Sequence, residues 1–334
     1  MKILVTGATG FAGGYILKFL SEKYPETFLA GTGRDSVKSG RLVDKGYNMV
    51  VGDLTDQVFI QDRLGEFTHV VHCAARSSVW GRYDDFYQDN VVVTRNLLKN
   101  ISGLQRLIYI STANIYFNFR DRLNVMESDP LPRKYVTWYP VTKLMGEKEV
   151  LNFSDRPVHR ISLRPRGVIG PGDTTAMPRI LKAFEENRIK MVGNGNNVID
   201  FTSVKNLAYA VSLAIGSGQD TDGETFNITD GETVRFWDLL IDTTRRMGYD
   251  RKLTRLPYRI VYFAAWISEM AAKIRGGYEP SLTRYGAGVL RTSFTLNIDK
   301  ARRLLGYKPI ISSTECIDDF LEWYRSEIKK GAPS

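Results

Sequence analysis

The stretch Lys2-Ile3-Leu4-Val5-Thr6-Gly7-Ala8-Thr9-Gly10-Phe11-Ala12-Gly13-Gly14 constrains this chain more than any other. An apolar run gives way to glycines spaced three apart, then to apolar residues at helical spacing, Tyr15, Ile16, Leu17, Phe19 and Leu20. The pattern predicts a strand, a tight turn and a helix. Gly7 permits the turn off the strand, Gly10 lets backbone N–H groups approach a ligand, and Gly13 lets the helix pack closely on the sheet. The positive end of the helix dipole then faces the turn, which suits an anion such as a pyrophosphate. A ligand-free strand–helix turn can carry the same glycines, so the flanking strand and helix are what strengthen the reading.

The rest of the first half repeats the rhythm. Strands are expected at Thr27–Thr32, Tyr47–Val51, His69–His72, Arg106–Ile110 and Val158–Leu163, with helices at about 84–101 and at Val141–Leu151. The strands are mostly continuous apolar runs, which predicts an α/β fold with a doubly wound parallel sheet covered on both faces. After Arg164-Pro165 the rhythm changes. Gly170-Pro171-Gly172-Asp173 and Gly193-Asn194-Gly195-Asn196-Asn197 are loop signals. Helices at Pro178–Glu186, Val204–Ile215 and Arg235–Met247 follow, with short strands at Thr225–Thr229 and Lys252–Leu256. The expected division is a dinucleotide-binding domain over 1–170, with later returns near 199–230, and a smaller, mainly helical substrate lid over 171–330.

Bulk properties exclude several classes. The chain has 334 residues, a net charge of +9 and a hydrophobic content of 43%, which is ordinary globular composition. No basic run exceeds a pair such as Arg302-Arg303, and no aromatic RNA-binding signature accompanies one, so nucleic acid is not expected as a partner. The basic surface instead favours anionic ligands. Cys73 and Cys316 form no paired motif, and His69, His72 and His159 lack ligand spacing, so neither a disulfide framework nor a metal site is expected. The opening strand leaves no room for a signal peptide, and no apolar run is long enough to span a bilayer. A cytoplasmic protein is expected.

Each early strand ends in a small or polar residue, Gly7, Gly33, Asp53, Ala74 or Ser111. In a doubly wound sheet these converge on one crevice, so the expected ligand is an adenine dinucleotide. Asp53 can accept from the adenine amino group or cap the next helix. At the end of the second strand stand Thr32-Gly33-Arg34, where a carboxylate would bind the ribose hydroxyls of NAD. A guanidinium there suits a 2′-phosphate, so NADP(H) is favoured, with NAD left open by the neighbouring Asp35. Tyr139-Pro140-Val141-Thr142-Lys143 puts a phenol and an ammonium four apart, on one helix face. The ammonium is expected to lower the phenol's pKa, making Tyr139 a proton donor and acceptor. Ser111-Thr112, at a strand end, can hydrogen-bond a carbonyl oxygen as charge develops on it.

Taken in order, Thr6-Gly7-x-x-Gly10-x-x-Gly13, Asp53-Leu54, His72-Cys73-Ala74-Ala75, Ser111-Thr112-Ala113-Asn114-Ile115-Tyr116, Tyr139-x-x-x-Lys143 and Arg164-Pro165-x-x-x-x-Gly170-Pro171-Gly172 resemble the extended branch of the short-chain dehydrogenase/reductase superfamily. The resemblance implies a Rossmann fold, with Thr112, Tyr139 and Lys143 as the catalytic set. It implies cofactor contacts from Gly7, Thr9, Gly10, Phe11, Ala12, Gly13, Arg34, Asp53, Leu54, Cys73, Ala74, Ala75, Ser111, Tyr139, Lys143, Arg164 and Pro165. Val79-Trp80-Gly81-x-Tyr83-Asp84-Asp85-Phe86-Tyr87, then Asn90-Val91 and Leu305-Gly306-Tyr307-Lys308-Pro309, look like the 3β-hydroxysteroid dehydrogenases and the bacterial enzymes that reduce long-chain β-keto acids. That implies an alcohol–ketone oxidoreductase acting on an apolar substrate, and a homodimer joined near Asp85–Asn100 and Val141–Leu151.

A nucleotide-sugar epimerase or dehydratase is one alternative, and a non-catalytic NAD(P)-sensing module is another. Against the first, Ile199 stands where nucleotide-sugar members usually carry an arginine for the diphosphate. The stretch Tyr258–Ile274 carries a wide apolar stripe, for which core packing, a substrate pocket and peripheral contact with a membrane surface are the candidate uses.

Overall fold

The computed structural model describes residues 1–174, 176–250, 252–275 and 278–329. Its main sheet has seven parallel strands: β1 (Lys2–Thr6), β2 (Phe28–Gly33), β3 (Asn48–Val51), β4 (His69–His72), β5 (Arg106–Ile110), β6 (His159–Pro165) and β7 (Glu224–Ile228). They lie in the order β7-β6-β5-β4-β1-β2-β3, so the expected doubly wound sheet is present. Strand order reverses at β1 and β4, which opens a crevice at their carboxyl ends. Register keeps those ends level, since Thr6 lies opposite both Thr32 and His72.

Two cores cover the sheet. On one side the Phe11–Lys23 and Val204–Gly216 helices bury Ile16, Leu17, Leu20, Leu207 and Val211 against β1, β5, β6 and β7. The other side packs Val93, Leu97 and Leu98 against Val70, Leu107 and Tyr109. The helix expected over 84–101 is interrupted: Tyr83–Tyr87 and Val93–Asn100 are α-helical, while Gln88–Val92 form a π-turn. This wider turn centres on buried Asn90, whose amide donates to Thr142 Oγ1 at 2.9 Å and accepts from Arg76 N at 2.7 Å. The helix expected from Val141 starts earlier and runs Trp138–Leu151. Pro140 falls in its first turn, where no backbone donor is needed.

Three short strands of the second half join one from the first half in a four-stranded sheet that the sequence pattern does not suggest. Val234–Arg235, Val198–Ile199, Phe294–Leu296 and Arg122–Val125 lie side by side in that order, each too short to show a period of two. The strand expected at Lys252–Leu256 shrinks to Arg255–Leu256, paired with Met191–Val192. Helices Ala176–Glu185, Phe236–Arg246, Tyr258–Ile274 and Arg284–Arg291 make up most of the remainder.

The Tyr258–Ile274 helix departs from simple core packing. Val261, Ala265, Glu269 and Ala272 face inward, whereas Ile260, Phe263, Trp266, Ile267, Met270 and Ile274 are exposed. Glu269 goes inward because Arg284 meets it there, its Nε and backbone N–H both donating at 2.7 Å. Among the described residues no helix is long and apolar enough to cross a membrane, and no three His, Cys, Asp or Glu side chains are grouped to hold a metal ion.

Candidate active site

The turn after β1 is shaped by contacts that exclude side chains. Gly7 has φ +68°, and a Cβ there would stand 2.8 Å from the backbone of Ala74; at Gly13 it would meet Gly7 O at 2.2 Å. Gly10 N–H closes the turn onto Gly7 O at 3.0 Å. The helix then begins with no side chain capping it, so its leading N–H groups, from Phe11 and Ala12, could meet an anion. These features fit a dinucleotide's pyrophosphate. Thr9 packs against Gly33 at the end of β2, and the Phe11 ring lies against Gly172 of the second half.

A buried relay ties the strand ends together. Ala74 N–H donates to Thr6 Oγ1 at 3.1 Å, Thr6 meets His72 Nδ1 at 2.7 Å, His72 Nε2 meets Thr94 Oγ1 at 3.0 Å, and Thr94 donates to Asn90 O at 2.7 Å. This polarity assigns Nδ1 as acceptor and Nε2 as the protonated nitrogen. Burial, with Lys143 adding to it, pushes the imidazole pKa down to about 3, so His72 is neutral and structural.

At the opposite end of the crevice, Arg34 Nη1 lies 3.3 Å from Asp89 Oδ1 and 4.0 Å from Asp53 Oδ2. Arg34 remains 60% exposed, where such pairs are weak and can be exchanged for a ligand's anion. Asp35, the residue that left NAD open, caps the Ser36–Val43 helix by accepting from Lys38 N at 2.9 Å. Asp53 accepts from Thr55 N and Oγ1, and the following helix is capped by Asp56 instead. Leu54 is buried in the core, Cys73 and Ala74 are half-buried and Ala75 is exposed. Burial lifts the Cys73 thiol to about 12, which leaves it unreactive.

The reacting end is built on β5 and the Trp138–Leu151 helix. Thr112, just past β5, accepts from Asn114 N at 3.2 Å and is hydrogen-bonded to Tyr139. Lys143 is 1% exposed, one turn further along the helix, with Nζ 4.0 Å from the centre of the Tyr109 ring. Burial drives Lys143 down to about 7, against the opposing pull of Cys73 and Glu147. Burial also raises Tyr139, with the Thr112 hydrogen bond opposing it. The expected lowering of the phenol is therefore not the dominant effect: the burial that raises Tyr139 also disfavours the charge on Lys143.

One further turn along lies Glu147, which spacing alone did not single out. It is 1% exposed and accepts from Ser162 Oγ at 2.8 Å, Arg164 Nε at 2.9 Å and Arg164 Nη2 at 2.5 Å. Burial would raise its pKa, but the Arg164 hydrogen bonds and charge outweigh that and hold it below the ordinary value. Arg164 also donates to the Tyr116 hydroxyl, which donates to Asn227 Oδ1 at 3.1 Å. Arg164 is thus committed to a structural ion pair in place of the cofactor contact expected of it, and Pro165 is buried opposite Ile228 of β7. Ser111 is buried beside Glu147. Tyr285, from the Arg284–Arg291 helix, is hydrogen-bonded to Asn114, and burial lifts it to about 12. No local signal marks Tyr285, because only the tertiary fold brings it to β5.

The chain from residue 3 to residue 229 matches the NAD dependent epimerase/dehydratase family. It is 30% identical to the 2-alkyl-3-oxoalkanoate reductase of Stenotrophomonas maltophilia, over 94% of this chain and 97% of that one. It is 31% identical to the decarboxylating sterol-4-alpha-carboxylate 3-dehydrogenase of Schizosaccharomyces pombe, over 98% of both chains. Among solved structures, UDP-glucuronic acid 4-epimerase from Bacillus cereus, in complex with NAD, shares the fold with a TM-score of 0.75 at 23% identity, covering 100% of this chain and 99% of that one.

Proposed function

This chain belongs to the NAD-dependent epimerase/dehydratase family and is an NAD(P)-dependent oxidoreductase of the extended short-chain type, and from that premise we propose that it interconverts a secondary alcohol and a ketone on an apolar hydroxy or oxo acid of the long-chain or sterol kind, using NADP(H). The observation that carries the reading is the hydrogen bond between Thr112 and Tyr139 at the carboxyl edge of the sheet, with Lys143 one turn away. The names of the two relatives support the substrate class, since each puts a carboxylate two carbons from the oxygen-bearing carbon. Ile199 speaks against a diphosphate-bearing sugar. Exposed Arg34, with Asp35 withdrawn into a helix cap, supports NADP(H) over NAD.

Bound cofactor supplies or receives the hydride. The paired hydroxyls of Thr112 and Tyr139 converge where a carbonyl oxygen would lie, so both can stabilise charge growing there. Tyr139 gives its proton to that oxygen during reduction and recovers it during oxidation. Lys143, near 7, is part ammonium at neutral pH and stabilises the phenolate that Tyr139 leaves behind. Glu147 and Arg164 position the helix on which both residues ride.

The same reading divides the chain into a cofactor domain over 1–170, completed by β7, and a substrate lid over 171–330. It includes a cytoplasmic homodimer joined near Asp85–Asn100 and Val141–Leu151. The exposed face of the Tyr258–Ile274 helix supports peripheral contact with a lipid surface. Tyr139→Phe should lower kcat by about 10²- to 10⁴-fold while NADPH binding, followed by nicotinamide fluorescence, stays unchanged; a variant retaining most of its turnover would overturn the assignment. Tighter binding of NADH than of NADPH would overturn the cofactor preference.

A further inference from the structure

Two arginines leave β6 together, and only one has an internal counter-ion. Arg164 is satisfied by Glu147. Arg166 is 7% exposed, and its Nε is buried with no hydrogen-bond partner. No carboxylate among the described residues comes within ion-pair distance of it. Its guanidinium lies over the Phe294 ring, 4.7 Å from the centre. A buried guanidinium with no hydrogen-bonded carboxylate beside it is costly, so an anion supplied from outside would be favoured there.

Strand register sets Arg166 close to the candidate catalytic residues. Ile110 of β5 lies opposite Leu163 of β6, so Arg166 sits beyond the sheet edge at about the level of Thr112. Phe294 packs in one cluster with Phe117 and Tyr285, and Tyr285 is hydrogen-bonded to Asn114, two residues from Thr112. Phe294 also pairs with Ile199, the apolar residue that counts against a diphosphate. Asp200 feels the charge of Arg166 but forms no ion pair with it: its Oδ2 accepts from Leu296 N at 2.7 Å, and its Oδ1 is buried without a partner. Burial raises Asp200 to about 7, against the pull of Arg166, so near neutral pH it only partly balances that charge.

We propose that Arg166 binds the carboxylate of the substrate, holding a β-hydroxy or β-oxo acid with its oxygen-bearing carbon at Thr112 and Tyr139. The proposal rests on the oxidoreductase reading above and names the group that selects the substrate. A single guanidinium matches one carboxylate, and the apolar Ile199 beside it suits a hydrocarbon rather than a sugar diphosphate. Arg166 also explains why the Arg-Pro motif continues with a second basic residue although Arg164 already fills the structural role.

The test compares 3-hydroxydecanoate with its methyl ester in NADP⁺ reduction, for wild type, Arg166→Met and Arg166→Lys. Wild type should prefer the acid, and Arg166→Met should lower the acid-to-ester ratio of kcat/KM at least tenfold, chiefly through KM, with Arg166→Lys in between. An unchanged ratio, or equal losses on acid and ester, would overturn the carboxylate site while leaving the oxidoreductase reading intact. Calorimetric binding of 3-hydroxydecanoate to the NADP⁺ complex separates the two claims. If wild type turns over neither compound, the functional reading fails; binding of the acid that disappears in Arg166→Met would still support the site, and no binding would overturn it. NADP⁺ affinity and the melting temperature of each variant report whether it has folded, and Arg166→Lys keeps the test decisive if Arg166→Met has not.

Discussion

Glu147 completes a ladder with Tyr139 and Lys143, each four residues from the next on one helix. The first two were legible because their chemistry and spacing are distinctive; the third looked like an ordinary surface glutamate until the fold placed Arg164 beneath it. The pair is nearly dry, with side-chain exposures of 8% and 2%. Removing the carboxylate charge strands a buried guanidinium, so Glu147→Gln should cost about 3–5 kcal/mol, measured by urea unfolding. A loss below about 1 kcal/mol, the scale of an exposed pair, would show that Arg164 finds another partner. The same logic separates Arg34, Arg164 and Arg166. Sequence marks Arg34 and Arg164 as cations near strand ends and passes over Arg166, and only their neighbours decide that Arg34 is exposed, that Arg164 is paired and that Arg166 Nε is buried without a hydrogen-bond partner.

Among the elements, the N-terminal strand, turn and helix were readable at once, because glycine requirements are local and backbone-encoded. The Tyr258–Ile274 helix was not. Its apolar stripe left core packing, a substrate pocket and contact with a membrane surface open; the inward face carries Glu269, held by Arg284, and the outward face carries Phe263 and Trp266 with rings stacked 5.8 Å apart. Exposed Arg259, Lys273 and Arg275 flank that face, and the proposed peripheral contact with lipid rests on this arrangement. Wild type should sediment with vesicles of phosphatidylcholine containing phosphatidylserine. Phe263→Asp combined with Trp266→Asp should reduce that binding at least tenfold, and failure of wild type to bind would remove the lipid-surface reading. Periodicity could not reveal this orientation, since it detects a stripe without saying which side the rest of the chain covers.

For the molecule as a whole, the two halves meet around ionisable groups that burial drives towards neutrality. Asp200 is raised to about 7 and Asp230 to about 6, while Lys143 is lowered to about 7, burial being the first cause in each case. For the two acids the folded state holds protons that the unfolded chain releases near its ordinary carboxylate value of about 4. Their stabilising contribution is therefore complete below that value and is lost as pH rises through 6 to 7. Asp200→Asn removes that dependence at one site. Relative to wild type, its melting temperature should improve between pH 4.5 and pH 8, and a pH-independent difference would overturn the burial argument. Lys143 acts in the opposite sense, its penalty being relieved as pH rises above about 7.

The sequence alone determined the doubly wound sheet, the glycine turn after the first strand and the spacing of Tyr139 and Lys143. Each rests on short-range requirements: glycine at a crowded turn, apolar continuity in a buried strand, and side chains one helical turn apart. The tertiary structure alone decided that His72 is a neutral link, that Asp35 is a helix cap, that Glu147 belongs to Arg164, and that Tyr285 and Phe294 close on the site from the far half. Those outcomes depend on burial and on partners distant in the chain, and neither is written in local spacing.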